Sequence, residues 1–594
     1  MLLSRRARRR VASIAIGAFI LAGCSSGGST TSSSGGRGAA TTAKSGTLGA
    51  DPANVADPSA AQASYTPSGP LIADDGFRPD ANSFGVQNYG DKLDDGSTPT
   101  NLTPADMQKL FGNGVCVDAS AGKCDLTPEA QQYMTQTNTS MAGGHCFGFS
   151  VSAQLLWTGQ TKPSDYGAAN TPGLQVAGNA GLQREIAYTW AFQTLPQVQS
   201  AVIKGTPNDI IAKLKQVLVP NPTETFTVAI FKRDGTGGHA VTPYAIEDAG
   251  NGIERILIYD NNYPKVTRAL TVDTNANTWQ YDAAINPSQP SELYDGDANT
   301  QSLMLYPTSP GLTPVNIFGN KAPSGGGGPG NSGAGALGTS TTQAVTVANV
   351  QSDNMDEIWL DGGDTGHGHL LITDAQGHRL GYVGGQVVNE IPGARVDQSF
   401  QDEDWLVSEE PTYYVPDGTQ FTITVDGTSL KSADQEAVGV IGPYFDLSVD
   451  NINLHPGEKD TLDIGADATK WSFQSSQEQM PDIGLGISDD TADWTFDIKG
   501  DQVPANSTIN LGLPDEGGSM TFGTAAGAGQ GSFSLAVDRE DGSGVTTFAH
   551  SGIQLSGGDT AALQFVSWQK GRPMQLDVSQ GGGAPQSQSL SDQG

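Results

Sequence analysis

The residues most able to do chemistry together are Cys146, His239 and the pair Asp260 and Asn261. Cys146 lies in Gly143-Gly144-His145-Cys146-Phe147-Gly148-Phe149-Ser150. The two glycines break any preceding structure, and Phe147, Val151 and Leu155 recur every four residues, so the spacing predicts a helix that starts at or beside Cys146. Unpaired N–H groups and the positive end of the helix dipole favour a negative sulfur there, which is what a thiolate nucleophile needs. His239 opens the apolar run Ala240–Ile246 directly after the Gly-rich turn 234–238, where a strand end can project an imidazole as general base. A further strand, Ile256–Tyr259, ends in Asp260-Asn261-Asn262-Tyr263-Pro264. The polar turn between the two strands, Glu247 to Glu254, predicts a hairpin that carries His239 towards Asp260 and Asn261. Either side chain could hold the imidazole in its working tautomer, and strand alternation leaves the choice open. His145 adjoins Cys146, yet neighbouring helical residues point about 100° apart, so it reads as a cap or a cleft wall and not as the base.

The elements that must position these groups are also visible. Ala180–Phe192 and Pro207–Val217 have helical apolar spacing, and Thr225–Phe231 reads as a strand. A Gly/Ser-rich stretch, 322–342, reads as a linker. Beyond it the period changes to two: Phe421, Ile423 and Val425 alternate with polar residues, and Leu370–Thr373 leads through Asp374-Ala375-Gln376-Gly377 into Arg379–Val383 as a hairpin. The expected fold class is therefore multidomain: an α+β domain over 65–321, followed by all-β modules of β-sandwich type at 343–436 and 437–578. A disordered tail is expected over 579–594.

The N-terminus has Arg5, Arg6, Arg8, Arg9 and Arg10, then an apolar run from Val11 to Leu21 that is short for a bilayer span. It reads as a signal peptide over 1–23. Leu21-Ala22-Gly23-Cys24 matches the lipobox of bacterial lipoproteins, which implies that Cys24 becomes the lipidated mature terminus. Residues 24–64 are Ser-, Gly-, Thr- and Ala-rich and read as a flexible tether. The expected location is the extracytoplasmic face of a bacterial cell membrane, held by lipid. In an oxidising compartment Cys116 and Cys124, which flank a short turn-forming segment, are expected to pair and leave Cys146 free.

Sixty-four acidic against 31 basic residues give a formal charge of −33, and no basic stripe offsets it, so nucleic acid is excluded as a partner. Asp361, Asp364, His367 and His369 resemble a metal constellation, but a Gly/Asp-rich surface turn explains them more simply. No metal and no cofactor are expected.

Taken together, the motifs resemble those of papain-like cysteine peptidases across about Gly76 to Pro307. GHCFGFS is similar to that family's nucleophile motif, GGHAVTPYAI to its histidine strand and LIYDNNYP to the strand of the orienting Asn or Asp. The chain order Cys, His, Asn/Asp is also the family's. The resemblance implies a papain-like catalytic domain with Cys146 as nucleophile, His239 as acid and base, and Asp260, preferred over Asn261, as orienter. The separation of 93 positions from Cys146 to His239 is shorter than the roughly 130 to 150 of the plant and lysosomal enzymes, which implies a compact or divergent bacterial form. The family's oxyanion glutamine, six residues before the nucleophile, falls on Ser140. Gln136 and Asn138 are the nearby amides that would replace it, beside the Cys146 N–H. The implied activity is cleavage of amide bonds in a peptide or protein, cell-wall peptides among the candidates, by a monomer. The rival readings are an inactive adhesion or binding lipoprotein and an acyltransferase of transglutaminase type.

Overall fold

The structure is a computed structural model. It describes residues 64–118, 124–233, 237–283, 292–318, 355–362, 367–397, 410–488, 492–513, 519–541, 544–566, 568–569 and 571–591. Cys24, the signal and tether segments up to residue 63 and the linker 322–342 lie outside these residues.

Helices of eight residues or more are α1 (Pro104–Phe111), α2 (Pro128–Ser140), α3 (Cys146–Thr158), α4 (Ala180–Trp190) and α5 (Pro207–Val217). All but α3 and α4 begin on proline, whose missing N–H costs nothing at the first helical position. Helix α5 also carries the capping box Thr206/Asp209, and α4 is capped by the Asn179 side chain. The helices accompany an antiparallel sheet of eight strands: β1 (Leu71–Asp74), β2 (Phe226–Phe231), β3 (Gly238–Gly250), β4 (Ile253–Tyr259), β5 (Thr267–Asp273), β6 (Thr278–Ala283), β7 (Glu292–Asp297) and β8 (Leu303–Pro307). The order runs β8-β2-β3-β4-β5-β6-β7, with β1 also paired to β3. Helix α3 is buried from Cys146 to Leu156, which explains why its apolar residues are not confined to one face. Gly148 makes that burial feasible, because a Cβ there would collide with the Ile186 carbonyl of α4.

The β-rich remainder includes β9 (Met355–Asp361), β10 (His369–Asp374), β11 (Arg379–Val383), β12 (Thr412–Pro416), β13 (Phe421–Asp426) and β14 (Asp434–Ile441). The expected hairpin of β10 and β11 is present, and β13 buries Phe421, Ile423 and Val425 on one face. Strands from Met355 to Leu590 form two antiparallel sheets, of nine and eleven strands. A single apolar core, from Ile358 through Leu447 and Phe496 to Leu590, lies between them.

Two expected boundaries differ from this arrangement. Ala437 lies inside β14, paired with Asp361, and strands on both sides of it continue the same two sheets, so the chain is not divided there. Residues 586–590, expected in a disordered tail, form a strand paired with Met574–Val578. Gly581 and Gly582 supply positive φ for the turn, and Leu590 is buried in the core. Helix α2 and the β-rich part share packing: Trp359 and Ile441 join the core of Tyr133 and Trp190, and Gln136 Nε2 donates to Asp361 Oδ1 (3.0 Å).

Candidate active site

Cys146 occupies the first position of α3, and the chain reaches it through the turn Met141–Gly143 and through Gly144 at φ +123°. Its N–H therefore has no intrahelical partner. The helix is fixed to the sheet one turn later, where Ser150 Oγ lies 2.9 Å from Thr227 Oγ1 on β2 and 2.8 Å from Thr242 Oγ1 on β3. His239 is the second residue of β3, paired with Ile230. Asp260 follows β4 directly, and the β3/β4 register sets Thr242 opposite Tyr259, so the strand ends bring His239 and Asp260 side by side. The hairpin read from the sequence is thus the device that joins them.

His239 Nε2 and Asp260 Oδ1 are 2.8 Å apart, and neither side chain is exposed. Asp260 also accepts from Tyr281 Oη (2.6 Å) and from the Asn262 N–H (2.9 Å), which leaves its carboxylate no freedom to turn. With Nε2 donating to Asp260, Nδ1 is the nitrogen left for the thiol. Nδ1 is buried without a hydrogen-bond partner, and the Cys146 side chain is near enough to act on the charge of the ring. Burial opposes a charged imidazole, but the Asp260 charge and hydrogen bond, with Cys146, outweigh it and push the His239 pKa up to about 10. Burial likewise opposes the Asp260 carboxylate, yet the imidazole, Tyr281 and the Asn262 N–H hold its pKa below the usual range. Asn261 takes a different part: its Nδ2 donates to the Cys146 carbonyl (3.1 Å) and to the Ala240 carbonyl (2.8 Å), tying the helix start to β3.

Cys116 and Cys124 form a disulfide, and Cys146 is a free, buried thiol. His145 is fully buried against Tyr89, with Nδ1 donating to the Tyr89 carbonyl (2.8 Å) and Nε2 3.0 Å from the Asn101 amide, so it faces away from any role as base.

The two amides expected at an oxyanion hole stand elsewhere. Gln136 points to Asp361, and Asn138 is spent on Leu102, donating to its carbonyl (3.0 Å) and accepting from its N–H (2.8 Å). Both lie on α2, which turns away before Gly144. The amide that does reach the loop before Cys146 is Asn88. Its Oδ1 accepts from the His145 N–H (2.8 Å) and the Tyr89 N–H (2.9 Å), and its backbone N–H donates to the Asn261 carbonyl (3.0 Å). Its Nδ2 is uncommitted among the described residues, and a Cβ on Gly144 would stand 3.4 Å from it. In the sequence Asn88-Tyr89-Gly90 reads as packing or cleft lining, because nothing local marks an amide that acts across so long a separation.

No family model, no curated protein and no solved structure matches this chain. Among the described residues no helix is long and apolar enough to cross a membrane.

Proposed function

We propose that the chain is a cysteine-type amide hydrolase with a papain-like site, acting on peptide or protein substrates. The observation that carries this reading is the His239 imidazole, bound through Nε2 to Asp260 and left with Nδ1 for Cys146. An imidazole whose protonated form is favoured beside a thiol takes the thiol's proton and leaves a thiolate. The sulfur then adds to the carbonyl carbon. The developing oxyanion is held by the Cys146 N–H and by Asn88 Nδ2. His239 Nδ1–H protonates the leaving nitrogen as the C–N bond breaks, giving a free amine and an acyl-enzyme. Water resolves that thioester: His239 takes its proton, oxygen adds to the acyl carbon, and the acid leaves as the thiol is restored. With Cys24 lipidated, this would take place at the outer face of a bacterial membrane.

The near-complete burial of Cys146 and His239, 2% and 0% exposed, favours a second reading, a binding lipoprotein that keeps the constellation closed. One experiment separates the readings. Iodoacetamide and a peptide-based thiol-reactive probe are applied to the full chain near neutral pH, with labelling at Cys146 read by mass spectrometry. Labelling faster than free cysteine and lost in His239→Ala supports the hydrolase. Labelling no faster than free cysteine in the wild type supports the closed binding protein. Incorporation of an added amine in place of hydrolysis would move the reading to an acyltransferase.

A further inference from the structure

The geometry points to a binding site for a borderline divalent cation of the zinc class at His367, His369 and Glu410, remote in function from Cys146. The ligand atoms of these three residues lie within 4.8 Å of one another. Two imidazoles and one carboxylate are a donor set suited to such a cation, with a further position left for water.

The site is built from two sheets. His369 begins β10, in the eleven-stranded sheet, and Glu410 precedes β12, in the nine-stranded sheet. Residues two apart on extended backbone project to the same side, which brings His367 beside His369. Gly368 between them has no room for a side chain, since a Cβ would stand 2.8 Å from Leu454 Cδ2 and 3.2 Å from the Asp426 carbonyl. The Glu410 side chain has no exposed surface. Its Oε1 accepts from the Leu370 N–H (2.7 Å) and from Tyr413 Oη (2.8 Å), which aims Oε2 at the histidines. Oε2 is 2.9 Å from His369 Nδ1 and 3.9 Å from His367 Nδ1. Tyr382 stacks on the His369 ring at 4.1 Å and fixes its plane. Glu410 and His369 are thus held from behind, as ligands of a metal site are.

A second, independent observation is Glu436. It is 1% exposed, it accepts from the Gly368 N–H through Oε1 (2.7 Å), and its Oε2 is buried without a partner. A Cβ on Gly362 would stand 2.2 Å from His367 Cβ and 3.1 Å from Glu436 Oε2, so the carboxylate lies beside the cluster. Among the described residues neither Glu410 nor Glu436 forms an ion pair with Lys or Arg. Two desolvated carboxylates next to two imidazoles form a negative site that a divalent cation would neutralise. Asp361 is committed to Gln136, and Asp364 lies outside the described residues, so Glu410 replaces them in the set suggested by the sequence. A bound cation would clip the two sheets together at this end of the sandwich.

The test uses the full chain, stripped with a chelator, and zinc chloride alone as probe, in a Cys146→Ser background so that the thiol cannot contribute. Isothermal titration is expected to give one equivalent, with affinity weakened roughly tenfold or more in His369→Ala and in Glu410→Gln. Because either variant could unfold, the unsubstituted site is also footprinted with diethylpyrocarbonate: zinc is expected to protect His367 and His369 and to leave exposed His455 reactive. Absence of a zinc equivalent, unchanged affinity in both variants, or equal modification of His367 and His369 with and without zinc would overturn the proposal.

Discussion

His239 Nε2 and Asp260 Oδ1 stand 2.8 Å apart with neither side chain exposed, so the imidazole's orientation and tautomer are set by a carboxylate that itself cannot rotate. In the proposed mechanism this relationship makes Asp260, and not Asn261, the orienter. Asp260→Asn is expected to lower kcat/KM for amide substrates by roughly 10²- to 10⁴-fold, since the neutral amide can hold the ring in either tautomer. Asn261→Ala is expected to cost less in rate and more in stability, because it removes the tie between the Cys146 carbonyl and Ala240. Parallel kinetics and chemical denaturation of the two variants check the contrast.

Two histidines give stability a pH dependence of opposite sign. His239 has its pKa raised, to about 10, so its contribution is present in full below its ordinary value of 6.5 and is lost as pH rises towards 10. His145 has its pKa pushed down to about 4 by burial, so the native state is stable with the ring neutral and loses stability as pH falls from 6.5 towards 4. Denaturation midpoints measured from pH 4 to 10 should therefore fall at both ends. His239→Gln is expected to flatten the alkaline limb and His145→Gln the acid limb. A His239 variant that keeps the full alkaline loss would contradict the assignment.

Gly148 tests whether α3 needs its close approach to α4. Gly148→Ala places a methyl group against the Ile186 carbonyl with backbone on both sides, and is expected to cost about 1–3 kcal/mol of stability. Alanine is otherwise favoured in a helix interior over glycine by about 1 kcal/mol, so a stabilised variant would show that the helices can separate. Thermal and urea unfolding of the variant decide this.

What could be read from the chain follows the range over which each signal acts. The helix start at Cys146, the strand at His239 and the strand ending at Asp260 are each encoded within a few residues. The hairpin that joins the last two is encoded by its own polar turn, so their meeting was legible. Asn88 and Glu410 were not, because each acts on residues far along the chain without any local pattern. The boundary expected at Ala437 failed for a related reason. Turn residues mark where strands stop, whereas the pairing of β14 with β9 across about 80 positions is set by which apolar faces share a core.

In the proposed mechanism Asn88 supplies a donor to the oxyanion. Its Oδ1 is occupied by the His145 and Tyr89 N–H groups, which fixes the amide so that Nδ2 lies over Gly144, two residues before the nucleophile. Asn88→Asp keeps the acceptor and removes the donor, and puts a negative charge where the oxyanion forms. It is expected to lower kcat for an amide substrate by roughly 10²- to 10³-fold. The rate at which iodoacetamide alkylates Cys146 should change far less, because that reaction builds no oxyanion. Gly144→Ala attacks the same geometry from the other side: φ is +123°, which alanine adopts poorly, and the new methyl group would touch Asn88 Nδ2. It should lose turnover together with stability. If Asn88→Asp slows alkylation and amide turnover equally, the residue holds the loop and does not meet the reacting oxygen.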